Sequence, residues 1–356
     1  MKIFILALVM ITFSNAGTFK KAEKLLGQKK YKEAIEIYQV LAQKDHAKAL
    51  SRLAFMYHFG HGVKKDCKKA EEFYIRSAQK GYADAYFSLG SAYHSGGCFE
   101  KDYKKALYYY EKAIQKGVSI AQENLAAMYL RGQGVPKDID KAIQLYEELV
   151  EKGDDSAKYA AYQLGNIYLS RDTSKAIRYF HISMEKGDTW APYRLADLYK
   201  RGIGVPKDIH KAIRLYEELV KKGGKNARKA AYLLGEIYQF GTRREYKNII
   251  PKDDKKAIAY YKKALSSGRY PRASQALGLA YSMGWGVEKN SQKAVQYYQD
   301  AAKGGLPEAY YNLGNAYYFG QGVKKDKRQG CTYWKKAYQK GKEMHFAKDS
   351  YSRYCH

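Results

Sequence analysis

The stretch Gly60-His61-Gly62-Val63-Lys64-Lys65-Asp66, followed by Lys69-Ala70, decides the fold of this chain because the same frame recurs along it. The clean copies of the loop span residues 132–138, 202–208, 284–290 and 320–326. A pitch of about 36 residues is typical of a repeat array, in which each unit buries its apolar face only against its neighbours. The pattern therefore predicts stacked helical hairpins, and such an array favours binding over catalysis.

Each loop joins two predicted helices. Before one loop, Ala85, Leu89 and Tyr93 recur every four residues, which puts them on one face of a helix. Gly90, on the same helix, is small enough to let a partner helix approach closely. After the loop, Asp102 precedes a second helix and can cap its free backbone N–H groups. Each unit is therefore a helix A, a glycine loop, a helix B and a turn.

These units resemble Sel-one-like repeats (SLR), which are relatives of the tetratricopeptide repeat. The resemblance is carried by the A-x-x-x-L-G-x-x-Y pattern of helix A, the G-x-G-V-x-x-D loop and the K-A-x-x-Y-Y-x-K-A pattern of helix B. It covers eight units in residues 47–341. Residues 17–46 look like a tetratricopeptide-type hairpin, and residues 342–356 are expected to form a C-terminal capping helix. The resemblance implies an all-α, right-handed solenoid of stacked hairpins.

Composition and the N-terminus indicate one exported solenoid. The 356 residues are 46% hydrophobic and show no linker-like break in composition. Residues 1–16 have the pattern of a signal peptide, with Lys2, an apolar run over 3–13, and small residues before a cleavage point after Ala16. An uncleaved anchor is the alternative, which the short apolar run disfavours. We expect a periplasmic or secreted protein with no transmembrane anchor after cleavage.

Four cysteines in an exported chain predict disulfides. One altered loop copy has Cys98 and Phe99 where the second glycine and the valine belong. We predict the pairs Cys67–Cys98 and Cys331–Cys355, because each pair straddles a helix B to helix A turn and would meet across an antiparallel helix pair. Spacing alone permits three connectivities.

The formal net charge of +28 attracts anionic partners. For an exported chain these are lipopolysaccharide, acidic glycans, anionic lipid or acidic protein surfaces, and we expect no nucleic acid partner. Much of the charge falls in loops and at the ends of helix B, where a solvated face is the simpler explanation. An anionic envelope polymer is therefore the second expectation, behind a protein or peptide partner.

Catalytic signatures are few. The Ser-x-x-Lys string of penicillin-recognising serine enzymes occurs at 77–80 and 183–186, where the repeat itself already places a small residue and a lysine. The chain loosely resembles the exported Helicobacter cysteine-rich proteins, an SLR branch associated with penicillin binding and weak β-lactamase activity. It lacks the cysteine pair that those proteins carry in nearly every unit. A β-lactamase-type hydrolase is therefore the alternative function, and we assign no catalytic residue.

Histidines form one cluster that is a candidate metal site. His58 and His94 occupy equivalent positions in successive repeats, and His61 and Cys98 lie in the adjoining loops. Adjacent repeats stack about 10 Å apart, which is too long for two ligands of one ion. We assign no metal site and expect no cofactor.

Tyrosine is abundant, with 37 copies, and most of them fall at core positions of the repeat. In tetratricopeptide arrays the concave groove is lined by helix A residues that face away from helix B. That register selects ten candidate groove residues: Phe87, Tyr159, Tyr162, Asn166, Trp190, Tyr193, Tyr232, Tyr311, Asn315 and Tyr318. Exposed aromatic side chains suit an extended peptide, although aromatic side chains also pack against neighbouring helices. We therefore predict an exported scaffold that binds a protein or peptide on its concave face.

Overall fold

A computed structural model describes residues 15–241, 250–341 and 344–355. The predicted signal peptide lies outside these ranges except for its last two residues. Within the ranges the chain forms nineteen α-helices and no β-strand, which confirms the predicted all-α class. No helix in this part of the chain is long and apolar enough to cross a bilayer.

The chain divides into two compact units, residues 1–167 and 168–356. The helices that begin in the first unit are α1 (Asn15–Gly27), α2 (Tyr31–Gln43), α3 (Ala47–Phe59), α4 (Cys67–Gln79), α5 (Ala83–Ser95), α6 (Tyr103–Gln115), α7 (Ser119–Arg131), α8 (Ile139–Lys152) and α9 (Ser156–Tyr168). Those of the second unit are α10 (Thr173–Glu185), α11 (Ala191–Arg201), α12 (Ile209–Lys222), α13 (Lys225–Phe240), α14 (Asp254–Leu265), α15 (Pro271–Met283), α16 (Ser291–Lys303), α17 (Pro307–Phe319), α18 (Lys327–Lys340) and α19 (His345–Tyr354). From α1 to α8, and again from α10 to α19, each helix packs against the next.

The odd-numbered helices from α3 to α17 are the A helices of the eight repeats, and the even-numbered helices from α4 to α18 are their B helices. Every B helix begins behind a residue whose side-chain Oδ1 accepts a hydrogen bond from the backbone N–H three residues later. The capping residues are Asp66, Asp102, Asp138, Asp172, Asp208, Asp253, Asn290 and Asp326. Such a cap satisfies a backbone donor that the first helical turn leaves unpaired.

The loop of each repeat also sets the stacking onto the preceding repeat. Gly62 has φ +75°, and a Cβ built on it would lie 2.5 Å from Cβ of Tyr31, the first residue of α2. Likewise, a Cβ built on Gly134 would lie 2.6 Å from Cβ of Tyr103, the first residue of α6. A side chain at these positions would separate consecutive repeats, so the second loop glycine is required by close packing as well as by its backbone conformation.

The core of each hairpin is a ring on helix B that lies on a small residue of helix A. Cβ atoms built on Gly90, Gly278 and Gly314 would lie within 2.6 Å of ring atoms of Tyr110, Tyr298 and Trp334, respectively. All three rings are buried. Gly235 approaches the buried Tyr261 ring in the same way, with 2.3 Å from the built Cβ to Cε1, whereas alanine holds this position in other repeats, as at Ala54. The two helices therefore approach as closely as the small residue permits.

Gly314→Ala tests this contact, because the added methyl group would lie 2.5 Å from Nε1 of the fully buried Trp334. Overpacking costs about 1–3 kcal/mol and outweighs the gain of about 1 kcal/mol in helix propensity. We expect a lower urea midpoint, measured by circular dichroism. Gly27→Ala is the control, since a Cβ there meets no atom within 4 Å. Equal midpoints for the two variants would contradict the contact.

Candidate binding groove

Five of the ten predicted groove residues share one position on the A helices. Each lies two residues before the leucine that recurs in helix A of the repeat, and all five are half-buried: Phe87, Tyr162, Tyr193, Tyr232 and Tyr311. Ring centroids lie 6.1 Å apart for Phe87 and Tyr110, 6.1 Å for Tyr193 and Tyr216, and 5.8 Å for Tyr232 and Tyr261. One side of these three rings therefore packs on helix B of its own hairpin, while part of the ring stays accessible.

Two further candidates lie at the start of their A helices and are more open. Tyr159 is 39% exposed and Trp190 is 48% exposed. Asp188 holds the backbone around Trp190, because its Oδ2 accepts hydrogen bonds from the N–H groups of Trp190 and Ala191, both at 2.6 Å. The Lys229 ammonium lies 4.3 Å from the ring centroid of Tyr193. Trp190 and Tyr193 therefore offer exposed aromatic surface beside a cation.

Some polar side chains on the same face already form hydrogen bonds within the protein. The Tyr232 hydroxyl donates to Glu236 Oε1 at 2.6 Å, and burial together with this carboxylate raises the pKa of the phenol. Asn166 Nδ2 donates to the Tyr162 carbonyl at 3.0 Å, while its buried Oδ1 has no hydrogen-bond partner. A donor such as a peptide N–H would satisfy that oxygen.

The structure corrects one of the ten candidates. Tyr318 is only 9% exposed, because its ring packs against Trp334 and Tyr354. Asn315 is also engaged with the core, since its Oδ1 accepts a hydrogen bond from Trp334 Nε1 at 3.0 Å. The C-terminal helix α19 supplies the covering side chain, Tyr354, which the repeat register does not represent. Tyr318 therefore belongs to the core and not to the groove.

Two cavities open between successive A helices, one in each unit, and their walls use the same repeat positions. The first unit's cavity lies between α3 and α5 and has a volume of about 450 Å³; the second unit's lies between α15 and α17 and has about 160 Å³. Equivalent wall residues are Phe55 and Leu279, His58 and Ser282, Phe59 and Met283, Tyr74 and Tyr298, Ser88 and Asn312, and Ser91 and Asn315. The notch is thus a property of the repeat, whereas its side chains differ between copies.

Sequence analysis missed the exposed residue that ends several A helices. Phe59, Phe240, Met283 and Phe319 all occupy this position and are 51–60% exposed. Each of them follows the core tyrosine of helix A by two residues. Two residues turn an α-helix by about 200°, so a large apolar side chain there points away from the core. An apolar residue two positions after the core tyrosine is therefore the sequence signal for this exposed position.

Many lysines stabilise the hairpins through contacts with aromatic rings. In six of the eight repeats, the lysine three residues after the capping residue lies over the ring of the helix A tyrosine, for example Lys211 at 4.1 Å from the Tyr199 centroid and Lys256 at 4.4 Å from that of Tyr238. Four more of these pairs are Lys69–Tyr57, Lys105–Tyr93, Lys175–Tyr168 and Lys293–Tyr281. Cation–π contacts of this kind contribute about 0.5–1 kcal/mol at exposed sites. This fraction of the positive charge is therefore part of the fold.

The two serines of the Ser-x-x-Lys strings are inaccessible. Ser77 and Ser183 both have 0% exposure, and the Ser77 hydroxyl donates to the Ala47 carbonyl at 2.7 Å. A nucleophilic serine needs an adjacent base and access to its substrate. Neither serine lines the two cavities just described.

Both predicted disulfides are present. Cys67 is bonded to Cys98, and Cys331 to Cys355. Cys98 occupies the place of the second loop glycine, and Cys67 is the first residue of α4, so this bond replaces the glycine contact that stacks the other repeats. It also fixes one wall of the larger cavity, which includes Cys98.

Removing this bond should lower stability. Closing a loop over a sequence separation of 31 residues stabilises by about 3–4 kcal/mol in the chain-entropy description. We expect Cys67→Ser/Cys98→Ser to unfold at lower urea than the wild type under oxidising conditions, as followed by circular dichroism. An unchanged midpoint would show that the bond does not hold the two repeats together. Cys331→Ser/Cys355→Ser controls for loss of a bond elsewhere.

These features define a helical-repeat protein with notches between successive A helices in both units. The Sel1 repeat pattern matches residues 47–82, 83–118, 119–154, 157–188, 191–224, 228–268, 271–306 and 307–342. The chain belongs to the Sel1 repeat family, as its loop and helix motifs indicate. A search of curated proteins finds no match.

Solved structures with the same fold include two bacterial proteins. The Sel1 repeat protein from Oxalobacter formigenes is 24% identical, with a TM-score of 0.70 over 92% of this chain and 93% of that chain. The protective antigen c5321 of uropathogenic Escherichia coli, which displays an SLR fold, is 24% identical, with a TM-score of 0.56 over 95% of this chain and 79% of that chain. At this identity the likeness concerns the fold alone, and it supports the solenoid class predicted from the repeats.

Proposed function

We propose that the protein is an exported scaffold that binds an extended segment of another protein on its concave face, formed by the A helices. The recurrence of one notch at equivalent repeat positions in both units carries this proposal. Sel1 repeats form scaffolds for protein–protein interaction, and a notch that recurs at the same repeat position suits an extended chain as ligand.

The chemistry of the A face supports a peptide ligand. Trp190 and Tyr159 offer large rings with little side-chain entropy to lose on binding. The orphaned Oδ1 of Asn166 and the orphaned Oε1 of Gln275 are acceptors at groove positions of α9 and α15. Peptide N–H groups would satisfy such acceptors, and aromatic anchors supply most of the binding free energy in interfaces of this kind.

Export is the second part of the proposal. Residues 1–16 have the pattern of a signal peptide, and the two disulfides suit an oxidising compartment. We place the mature protein in the periplasm or outside the cell.

Cleavage after Ala16 gives a mature chain that begins at Gly17. We expect the protein isolated from the periplasm or the medium of the producing cells to have this N-terminus, as measured by intact-mass spectrometry. A full-length mass, or recovery in the cytosolic fraction only, would contradict export.

The groove is tested by truncating two neighbouring anchors, Trp190 and Tyr193. With the mature chain as bait in an envelope extract, Trp190→Ala/Tyr193→Ala should lose at least about tenfold of the specific partner signal, because each anchor is worth more than about 1.4 kcal/mol. Val40→Ala/Tyr108→Ala is the matched control, since both residues are exposed but lie on α2 and α6, away from the A face. Circular dichroism is used to verify that both variants fold. Identical recovery by the two baits would place the binding surface elsewhere.

A further inference from the structure

We propose that the cavity between α3 and α5 is an anchor site for one large apolar side chain carried on an acidic segment of a partner protein. This inference rests on the proposed function and names the chemistry that one of its notches recognises. The cavity's thirteen wall residues include one lysine and no carboxylate.

Aromatic rings from α3 and α5 form much of the wall, and three serines of α5, Ser88, Ser91 and Ser95, also line it. Phe55 and Phe59 are 36% and 56% exposed, and their ring centroids lie 4.7 Å apart. The His58 ring stacks on Phe59 with centroids 4.4 Å apart, and Phe87 closes the opposite side from α5. A volume of about 450 Å³ is within the range of ligand pockets, and it accommodates one aromatic or large aliphatic side chain.

The site is built before any partner arrives. The disulfide from Cys98 to Cys67 ties the loop that forms one wall to the first residue of α4. Behind the wall, the buried Phe99 ring lies 5.5 Å from His58 and 5.2 Å from Tyr93. A pocket held in shape by covalent and aromatic contacts loses little conformational entropy on binding.

The electrostatics of the site select an anion. Burial lowers the pKa of His58, and the neighbouring Lys65 ammonium lowers it further, so the imidazole is neutral at pH 7. Lys65 forms no ion pair with any residue that the structure describes. A partner carboxylate beside the apolar side chain supplies the counter-charge, and the excess of positive charge over the whole chain, +28, steers acidic segments toward it.

The equivalent notch of the second unit does not share this chemistry. Its walls have Leu279, Ser282 and Met283 where the first unit has Phe55, His58 and Phe59, and they include no charged residue. Its volume is about 160 Å³. The preference for an acidic segment with a large apolar side chain is therefore specific to the first-unit cavity. The second-unit cavity serves as a control within the same protein.

The experiment uses the mature chain and three fluorescein-labelled, end-blocked nine-residue peptides. The first has phenylalanine at its centre and glutamate and aspartate on both sides; the second has alanine at the centre; the third has glutamine and asparagine in place of the acids. Fluorescence anisotropy measures each dissociation constant at two salt concentrations. We expect the first peptide to bind at least about tenfold more tightly than either of the others.

Protein variants locate the binding. Phe59→Ser and Lys65→Glu should each weaken the first peptide by about tenfold, which corresponds to about 1.4 kcal/mol. Met283→Ser and Lys64→Glu are the matched controls, one from the second notch and one adjacent to Lys65, and should change affinity by less than about twofold. All four side chains are solvent-exposed at least in part, and circular dichroism verifies the fold of each variant.

Three results would overturn the inference. Equal binding of the alanine-centred peptide would mean that charge alone is recognised, and equal binding of the uncharged peptide would remove the role of Lys65. Equal weakening by Lys64→Glu and Lys65→Glu would show a diffuse basic surface. If any of these occurs while Trp190→Ala/Tyr193→Ala still loses its partner, the scaffold function stands and only the assignment of this cavity fails.

Discussion

The contact between a small residue on helix A and an aromatic ring on helix B sets the spacing of the two helices in each hairpin. Tyr110 lies on Gly90, Tyr298 on Gly278, and Trp334 on Gly314, in each case too closely for an added methyl group. Because the ring fills the space between the two helices, each hairpin buries its apolar face between its own helices and against the neighbouring repeats. The opposite face of helix A is left for solvent and ligands.

That division explains how a chain so rich in lysine and tyrosine is organised. Lysines such as Lys105 and Lys211 lie over the helix A tyrosines and belong to the hairpins, whereas Lys65 lies at a cavity with no carboxylate around it. Likewise Tyr93 and Tyr199 are core, while Tyr159 remains open at the start of its helix. The same residue types therefore serve both stability and recognition, and their position relative to the loop separates the two roles.

Much of the fold could be predicted because its determinants are local and periodic. Asp102 as a helix cap and Gly90 as the small residue of helix A follow from the repeat register, and both cysteine pairs follow from the antiparallel packing that the repeat implies. The groove stays a prediction: Phe87 and Tyr193 are half-buried and Trp190 is exposed, but Tyr318 is covered by Tyr354 from a helix outside the repeats. Phe59 was missed because the search followed the positions that line tetratricopeptide grooves and not the last turn of the helix.

The repeat period, the order of helices and loops, and the cap at the start of each B helix are written in the sequence, since each depends on residues only a few positions apart. The cavity between α3 and α5 depends on residues from two repeats: Phe55 and Lys65 from one, Phe87 and Cys98 from the next. Helical periodicity gives the direction in which a side chain points. Whether that direction ends in solvent, in a neighbouring ring or in a notch is decided by the elements that pack beside it.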